Sequence, residues 1–164
     1  MFDELLAANA GYASRFTHDG MEARAVKAFC VLTCMDTRID PLSILGLSVG
    51  DAKILRNAGG RVTPDVLRSM VLAATFLGVK EIAVMHHTKC ALAGTDDASV
   101  PDAMSQQQRD ATNGWSWLSM PDPDVALVDD VEAVRSCRGL PPGTTVEGWR
   151  YDVETGLVAR LIPA

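Results

Sequence analysis

The sequence lacks the features that point to a membrane, a nucleic acid or a secreted scaffold. No apolar run approaches the roughly 18 residues that a membrane-spanning helix needs. Acidic residues outnumber basic ones by 21 to 15, which gives a net charge of −6 and a pI near 4.9. An acidic chain offers no basic face, so we expect neither nucleic acid nor an anionic membrane as a partner.

Cysteine is also scarce, and a basic N-terminal start is missing. The four cysteines have no dense spacing pattern, so they do not predict a disulfide scaffold. The first four residues, Met-Phe-Asp-Glu, lack the positive charge of a secretory signal peptide. A length of 164 residues is enough for a single domain with a real core. We therefore expect one cytoplasmic domain over residues 1–164.

Strand and helix patterns alternate along the chain. Helices are predicted over residues 2–16, 40–45, 63–77, near 102–110 and over 124–138, and strands over 25–33, 52–56 and 81–86. Residues 144–152 and 157–162 flank a Glu-Thr-Gly turn and predict a hairpin. This order predicts a three-layer α/β fold: a central, mostly parallel sheet with helices on both faces and the C-terminal hairpin at one edge. Residues 1–20 form an N-terminal helical arm in this prediction.

Residues whose side chains can bind a ligand or take part in catalysis follow three of the predicted strands. Cys34 follows the first strand, Asn57 the second and His87 the third. Ligands of parallel sheets bind beyond the carboxyl ends of the strands. We therefore expect these residues to face a common site.

The first motif is Cys34-Met35-Asp36-Thr37-Arg38. If the strand continues to Arg38, then Cys34, Asp36 and Arg38 project to one side, because side chains alternate along a strand. The arginine fork suits a bidentate grip on the carboxylate. By itself this motif also fits a buried ion pair beside an inert cysteine.

The second motif, His87-Thr88-Lys89-Cys90, adds an imidazole and a thiol three residues apart in a turn. Two thiolates and one imidazole are ligands that Zn²⁺ prefers in tetrahedral geometry. Three protein ligands leave a position for water, which is typical of a catalytic zinc site. Residues 56–60, Arg-Asn-Ala-Gly-Gly, are predicted to form its floor.

Together these motifs resemble the β-class carbonic anhydrases, and the resemblance extends through residues 56–60 and 65–69. It implies that Cys34, His87 and Cys90 hold zinc, while Asp36 and Arg38 form a catalytic dyad. Asp36 is then a possible fourth ligand in a closed state. The implied reaction is the reversible hydration of CO₂ to bicarbonate by zinc-bound hydroxide, in a homodimer or a dimer-based oligomer. The implied substrate pocket comprises Asn57, Ala58, Gly59, Gly60 and Ala91.

One departure from that family bears on the substrate. Ala91 follows the second cysteine, where the family usually has glycine. Small members of the family include hydrolases of carbonyl sulfide (COS) or carbon disulfide, so hydrolysis of these gases at the same zinc is an alternative. A structural or sensing zinc closed by Asp36 is another alternative, and a redox switch of Cys34 and Cys90 is a third.

The remaining candidate residues have structural interpretations. We expect Cys30 and Cys137 to be packing residues, and His86 to be a satisfied core histidine that points away from His87. The pairs Asp96-Asp97 and Asp129-Asp130 are predicted to be surface acids or helix caps rather than a second metal site.

Overall fold

The computed structural model describes all residues from 1 to 164, and its centre is a five-stranded sheet. The strands are β1 (Phe29–Cys34), β2 (Ala52–Asn57), β3 (Glu81–His87), β4 (Thr145–Tyr151) and β5 (Val158–Ile162). Their order in the sheet is β2-β1-β3-β4-β5. The first four strands run parallel and β5 pairs antiparallel with β4. This confirms the predicted mostly parallel sheet with a hairpin at one edge.

The helices lie between these strands in the chain. They are α1 (Phe2–Ala13), α2 (Pro41–Ile44), α3 (Pro64–Phe76), α4 (Gln106–Ala111) and α5 (Pro123–Arg135), with short 3₁₀ turns at Ala58–Gly60 and Val100–Ala103. The two long inner helices begin at capping side chains that precede a proline. Thr63 accepts from the Val66 N–H at 3.3 Å, and Asp122 accepts from two N–H groups of the first turn of α5.

One face of the sheet is covered by α3 and α5. Their apolar stripes pack on alternate residues of the central strands, and the buried members include Cys30, Leu32, Val66, Met70, Ile82, Val84, Leu127, Val131 and Val134. The other face carries a second cluster with Val31, Ile39, Ala83, Met85, Met120 and Tyr151, against which Ile44 of α2 packs. Because β3 alternates between the clusters, His86 faces α5 and His87 lies on the opposite side.

Several observed element bounds differ from the predicted ones; α1, for example, ends at Ala13 rather than at residue 16. β1 begins at Phe29 rather than residue 25, because Ala28 takes a positive φ of 52° that breaks the extended backbone. The helix expected near 102–110 is a 3₁₀ turn followed by α4, whose capping box at Ser105 starts a separate helix. α5 ends at Arg135, three residues before the predicted end. No helix combines the length and apolar character needed to span a membrane.

Candidate metal centre

The parallel pairing of β1 and β3 brings the two motifs together. Cys34 is the last residue of β1 and His87 the last of β3, so both lie at the carboxyl edge of the sheet. Cys90 follows His87 after a tight turn in which Lys89 has a φ of 54°. One donor atom from each of these three buried residues lies within 4.8 Å of the others. The structure therefore assembles the predicted zinc ligands into one cluster.

The imidazole of His87 is held in the tautomer that a metal requires. Its Nδ1 lies 2.9 Å from the carbonyl oxygen of Thr88. A carbonyl only accepts hydrogen bonds, so Nδ1 carries the proton and Nε2 has a bare lone pair. Nε2 is buried and has no hydrogen-bond partner. A buried acceptor without a partner is costly, and a bound cation at this point satisfies it.

The two thiols are also arranged to share a positive ion. A hydrogen bond from Cys90 lowers the pKa of Cys34 to about 4 against the opposing effect of burial, with smaller contributions from backbone hydrogen bonds of Asp36 and Gly59. The same pairing, together with burial, raises the pKa of Cys90. The pocket thus holds one thiolate easily, and a second one needs a cation to balance its charge. This donor set fits zinc.

The chain turns sharply after Cys34, which corrects the prediction of an extended strand through Arg38. β1 ends at Cys34 because the Asp36 carboxylate accepts from the Arg38 N–H at 2.9 Å, and the Asp36 carbonyl accepts from Ile39 at 3.1 Å. The turn still brings the expected pair together. Arg38 Nε donates to Asp36 Oδ1 at 2.9 Å and Arg38 Nη2 donates to Oδ2 at 2.7 Å.

Further hydrogen bonds fix this turn beside the donor cluster. Arg38 Nη2 also donates to the Lys89 carbonyl at 3.0 Å, which links the first motif to the second. Arg56 on β2 donates to the carbonyls of Cys34 and Asp36, at 3.0 and 2.7 Å. The two arginines therefore hold the backbone on either side of the cluster.

The carboxylate of Asp36 lies next to the cluster but is turned toward Arg38. Its Oδ2 is 4.0 Å from His87 Nε2. The hydrogen bonds from Arg38 hold the pKa of Asp36 well below its usual range. Asp36 is therefore an ionised acceptor at the edge of the cluster, and its charge is already paired.

A glycine loop closes the cluster from behind. Gly60 has a φ of 69°, and a Cβ on it would lie 2.9 Å from the Cys34 nitrogen and 3.0 Å from the Thr33 carbonyl carbon. Gly59 has a φ of 76°, and a Cβ there would lie 3.2 Å from the Leu92 side chain. Both positions favour glycine, because other residues would be strained at these φ angles, and a Cβ on Gly60 would also displace β1.

A cavity of about 560 Å³ opens in front of the cluster. Its walls include Cys34, Met35, Asp36, Thr37, Arg38, Ala58, Gly59, Cys90, Ala91 and Leu92. Ala58, Gly59 and Ala91 of the predicted pocket line it. Asn57 and Gly60 lie outside the wall: Asn57 Nδ2 donates to the Arg61 carbonyl at 2.7 Å, and Gly60 packs on Cys34. Met35, Thr37 and Leu92 also line this cavity but were not predicted, because they carry no chemical signal of their own.

Two of the secondary candidates differ from their predicted roles. Asp130 is buried rather than a surface acid or cap, and it bonds to Arg61 and His86. Asp97 is half-buried and accepts hydrogen bonds from Ser116, Trp117 and Ser119. His86 is a core histidine whose Nε2 lies 2.9 Å from the Asp130 carboxylate, but its buried Nδ1 has no hydrogen-bond partner, so the expected satisfied histidine is satisfied at one nitrogen only. Cys30 is fully buried and burial raises its pKa to about 12, consistent with a packing role.

Comparison with known proteins identifies the relatives of this chain. Residues 29–136 match the family model described as carbonic anhydrase. The β-carbonic anhydrase 1 of Mycobacterium tuberculosis is 34% identical over 98% of both chains. A carbon disulfide hydrolase of Acidithiobacillus thiooxidans is 32% identical over 77% of this chain and 73% of its own.

Comparison of the fold with solved structures finds relatives in the same family. The crystal structure of a carbonic anhydrase from Streptococcus mutans superposes with a TM-score of 0.87 at 34% identity, over 97% of this chain and 96% of the other. The family model covers more than half of the chain, and the M. tuberculosis relative matches nearly all of it. The chain belongs to the β-carbonic anhydrase family.

Proposed function

We propose that this protein catalyses the reversible hydration of CO₂ to bicarbonate with zinc held by Cys34, His87 and Cys90. The observation that carries the proposal is the convergence of these three donors around a bare, buried His87 Nε2. The similarity to β-carbonic anhydrase 1 of M. tuberculosis over nearly the whole chain supports the same reaction.

Zinc bound by these ligands supplies Lewis-acid chemistry that lowers the pKa of a coordinated water to about 7. The protein's contribution is to keep one coordination position free of protein ligands. Asp36 is the carboxylate nearest to the donors. Arg38 keeps it from binding the metal by donating hydrogen bonds to both of its oxygens. Asp36 Oδ2 remains an ionised acceptor that orients a water molecule and receives its hydrogen bond.

The cavity walls suit a small substrate without strong hydrogen-bonding groups. Ala58, Ala91 and Leu92 present apolar surface beside the donor cluster. CO₂ is linear and apolar, so it loses little hydration on entering such a space. The Arg38 guanidinium at the same wall offers N–H donors to a negatively charged product such as bicarbonate.

COS or CS₂ hydrolysis at the same centre is the second candidate. The similarity to a carbon disulfide hydrolase favours it, as do the apolar walls, which discriminate weakly between oxygen and sulfur. The two candidates differ in their products, because only the sulfur substrates release sulfide. Parallel assays of bicarbonate and sulfide formation on one zinc-loaded sample separate them.

We further propose that the active form is a homodimer or a dimer-based oligomer. α1 buries none of its residues, and its apolar side chains include Phe2, 83% exposed, and Leu6, 69% exposed. An apolar helix face left in water is unfavourable, and a second copy of this chain is the occupant we propose for it. The expected cytoplasmic location stays a prediction.

The metal requirement is tested by removing zinc with a chelator and adding it back. We expect CO₂ hydration to disappear on chelation and to return in proportion to zinc, up to one ion per chain. Hydration that persists in metal-free protein would overturn the proposal. Hydration that never appears at full zinc loading would point to the sulfur substrates or to a structural zinc.

A further inference from the structure

A buried carboxylate on the far side of the sheet connects the segments that carry the metal donors. Asp130 of α5 is 4% exposed. Its Oδ2 accepts from Arg61 Nε at 2.6 Å and from His86 Nε2 at 2.9 Å. Its Oδ1 accepts from the Val62 N–H at 3.0 Å. One side chain thus bonds to two separate stretches of the chain.

Both of these stretches adjoin metal donors. His86 directly precedes His87, so its bond to Asp130 fixes the end of β3. Arg61 directly follows Gly60, which packs against the backbone of Cys34 with no room for a Cβ. A displacement of Arg61 would therefore be transmitted through the glycine loop to Cys34.

A third stretch is linked through the same arginine. Arg61 Nη1 donates to the carbonyls of Leu118 and Ser119, at 2.6 and 3.2 Å. The next residue, Met120, donates its N–H to the Leu92 carbonyl at 2.9 Å. Leu92 lies two residues beyond Cys90. His87 and Cys90 thus lie one and two residues from segments tied to this network, and Cys34 contacts it through Gly60, the neighbour of Arg61.

The packing of α5 does not require a carboxylate at position 130. Leu127, Val131 and Val134 already anchor α5 in the core. Burial opposes the ionised form of Asp130, but the bonds from His86 and Arg61 outweigh burial and lower its pKa. A buried ion pair can often be replaced by apolar residues without loss of stability. We therefore look for the role of this pair in the geometry that it fixes rather than in stability.

We propose that Asp130 is a positioning residue for the metal centre, acting through His86 and Arg61 to fix the spacing of the Cys34 and His87 donors. The inference rests on the proposed metal binding by these residues. It extends the site to an acid on the opposite face of the sheet, which touches neither the metal donors nor the cavity. Partners that orient metal ligands typically change metal affinity by about 10- to 100-fold when they are removed.

The test compares Asp130→Asn with Asp129→Asn, an exposed neighbour on the same helix. Asn keeps the shape but removes the negative charge, and its NH₂ group must face either the Val62 N–H or the donors of Arg61 and His86. We expect zinc to dissociate about tenfold faster from the Asp130 variant, and the visible spectrum of its cobalt-substituted form to shift. The Asp129 variant should match the wild type in both measurements.

A second pair of variants decides the outcome if Asp130→Asn does not fold. His86→Gln retains an N–H donor for Asp130, whereas His86→Leu does not. We expect the Gln variant to keep the wild-type cobalt spectrum and the Leu variant to lose it. The inference would be overturned if Asp130→Asn or His86→Leu had only a lower melting temperature, while its cobalt spectrum and its rate of zinc dissociation matched the wild type. Failure of the wild type to bind metal would instead refute the proposed function.

Discussion

Arg38 holds Asp36 by two parallel hydrogen bonds, of 2.9 and 2.7 Å, while Asp36 Oδ2 stays 4.0 Å from the nearest nitrogen of His87. This pair determines whether a carboxylate is free to reach a metal at the donor cluster. In this arrangement the positively charged guanidinium of Arg38 is the strongest partner of the Asp36 carboxylate and neutralises its charge. The open coordination position of the proposed enzyme therefore depends on a residue that does not itself bind the metal.

Arg38→Ala should retain zinc and lose activity. Without the Arg38 guanidinium, the Asp36 carboxylate would gain by turning to a metal ion held by the donor cluster, where it would take the position of the water. We expect CO₂ hydration to fall by about 10²-fold or more, with one zinc per chain still bound. The cobalt-substituted variant should have a spectrum that no longer responds to pH or anions.

Arg68→Ala is the matched control for this change. Arg68 forms an exposed ion pair with Asp65 on α3, which has the same chemistry at a remote position. It should keep full activity and a pH-responsive cobalt spectrum. An active Arg38→Ala enzyme, with water still on the metal, would contradict the role assigned to the pair.

Loss of any one of the three donors should abolish tight zinc binding. Cys34→Ser, His87→Ala and Cys90→Ser each remove a bond and upset the charge balance of the cluster. Cys137→Ser, a half-buried cysteine remote from the site motifs, should bind one zinc as the wild type does. Metal analysis after gel filtration measures this. Stoichiometric zinc in a donor variant would show that the ligand set is wrong.

Asp97 should stabilise the 91–120 segment in a pH-dependent way. Backbone N–H groups of Ser119 and Trp117 lower its pKa from 3.8 to about 2. A carboxylate with a lowered native pKa contributes its full stability above the unfolded value, and that contribution is lost as pH falls from about 4 toward 2. Asp97→Asn should therefore be less stable at pH 7, with a difference that shrinks below pH 4.

Urea unfolding between pH 7 and pH 2.5 measures this difference. Asp102→Asn serves as the control, because Asp102 is an exposed acid of the same segment. Its stability should follow the wild type at every pH. A constant difference between wild type and Asp97→Asn across the range would mean that the carboxylate charge is not the source of the stabilisation.

Leu6→Glu should break the proposed dimer. A charge on the exposed apolar face of α1 opposes its burial against a second copy. Leu157→Glu, at a 70% exposed position beside the β4–β5 turn, places the same charge away from α1 and should leave the assembly intact. Light scattering reports the mass in each case. A single 17.6 kDa species in active wild-type samples would refute the dimer.

The sequence predicted the sheet and the donor cluster because both follow from local patterns. Buried parallel strands appear as apolar runs, and their carboxyl ends share one edge, so Cys34 and His87 were expected to meet. The turn at Asp36 was missed because a side-chain hydrogen bond to Arg38 overrides continuation of the strand. Asn57 was expected in the pocket wall, but it bonds to Arg61 behind the wall instead.

Asp130 illustrates what a single sequence leaves undecided. It was predicted to be a surface acid or a helix cap, and carboxylates are rarely buried. A signal was present, because Leu127, Asp130, Val131 and Val134 fall on one helical stripe with apolar neighbours. Only the three-dimensional structure supplies Arg61 and His86, from distant segments, as the partners that make this burial possible.

Stopped-flow hydration of CO₂ on zinc-loaded protein, with COS hydrolysis measured on the same sample, is the direct test of the proposed reaction. Apolar walls distinguish substrates of similar shape by only about 1–3 kcal/mol, so we expect activity on both gases. We predict that the kcat/KM for CO₂ exceeds the kcat/KM for COS. A kcat/KM for COS about tenfold or more above that for CO₂, or no CO₂ hydration with one zinc per chain, would contradict it.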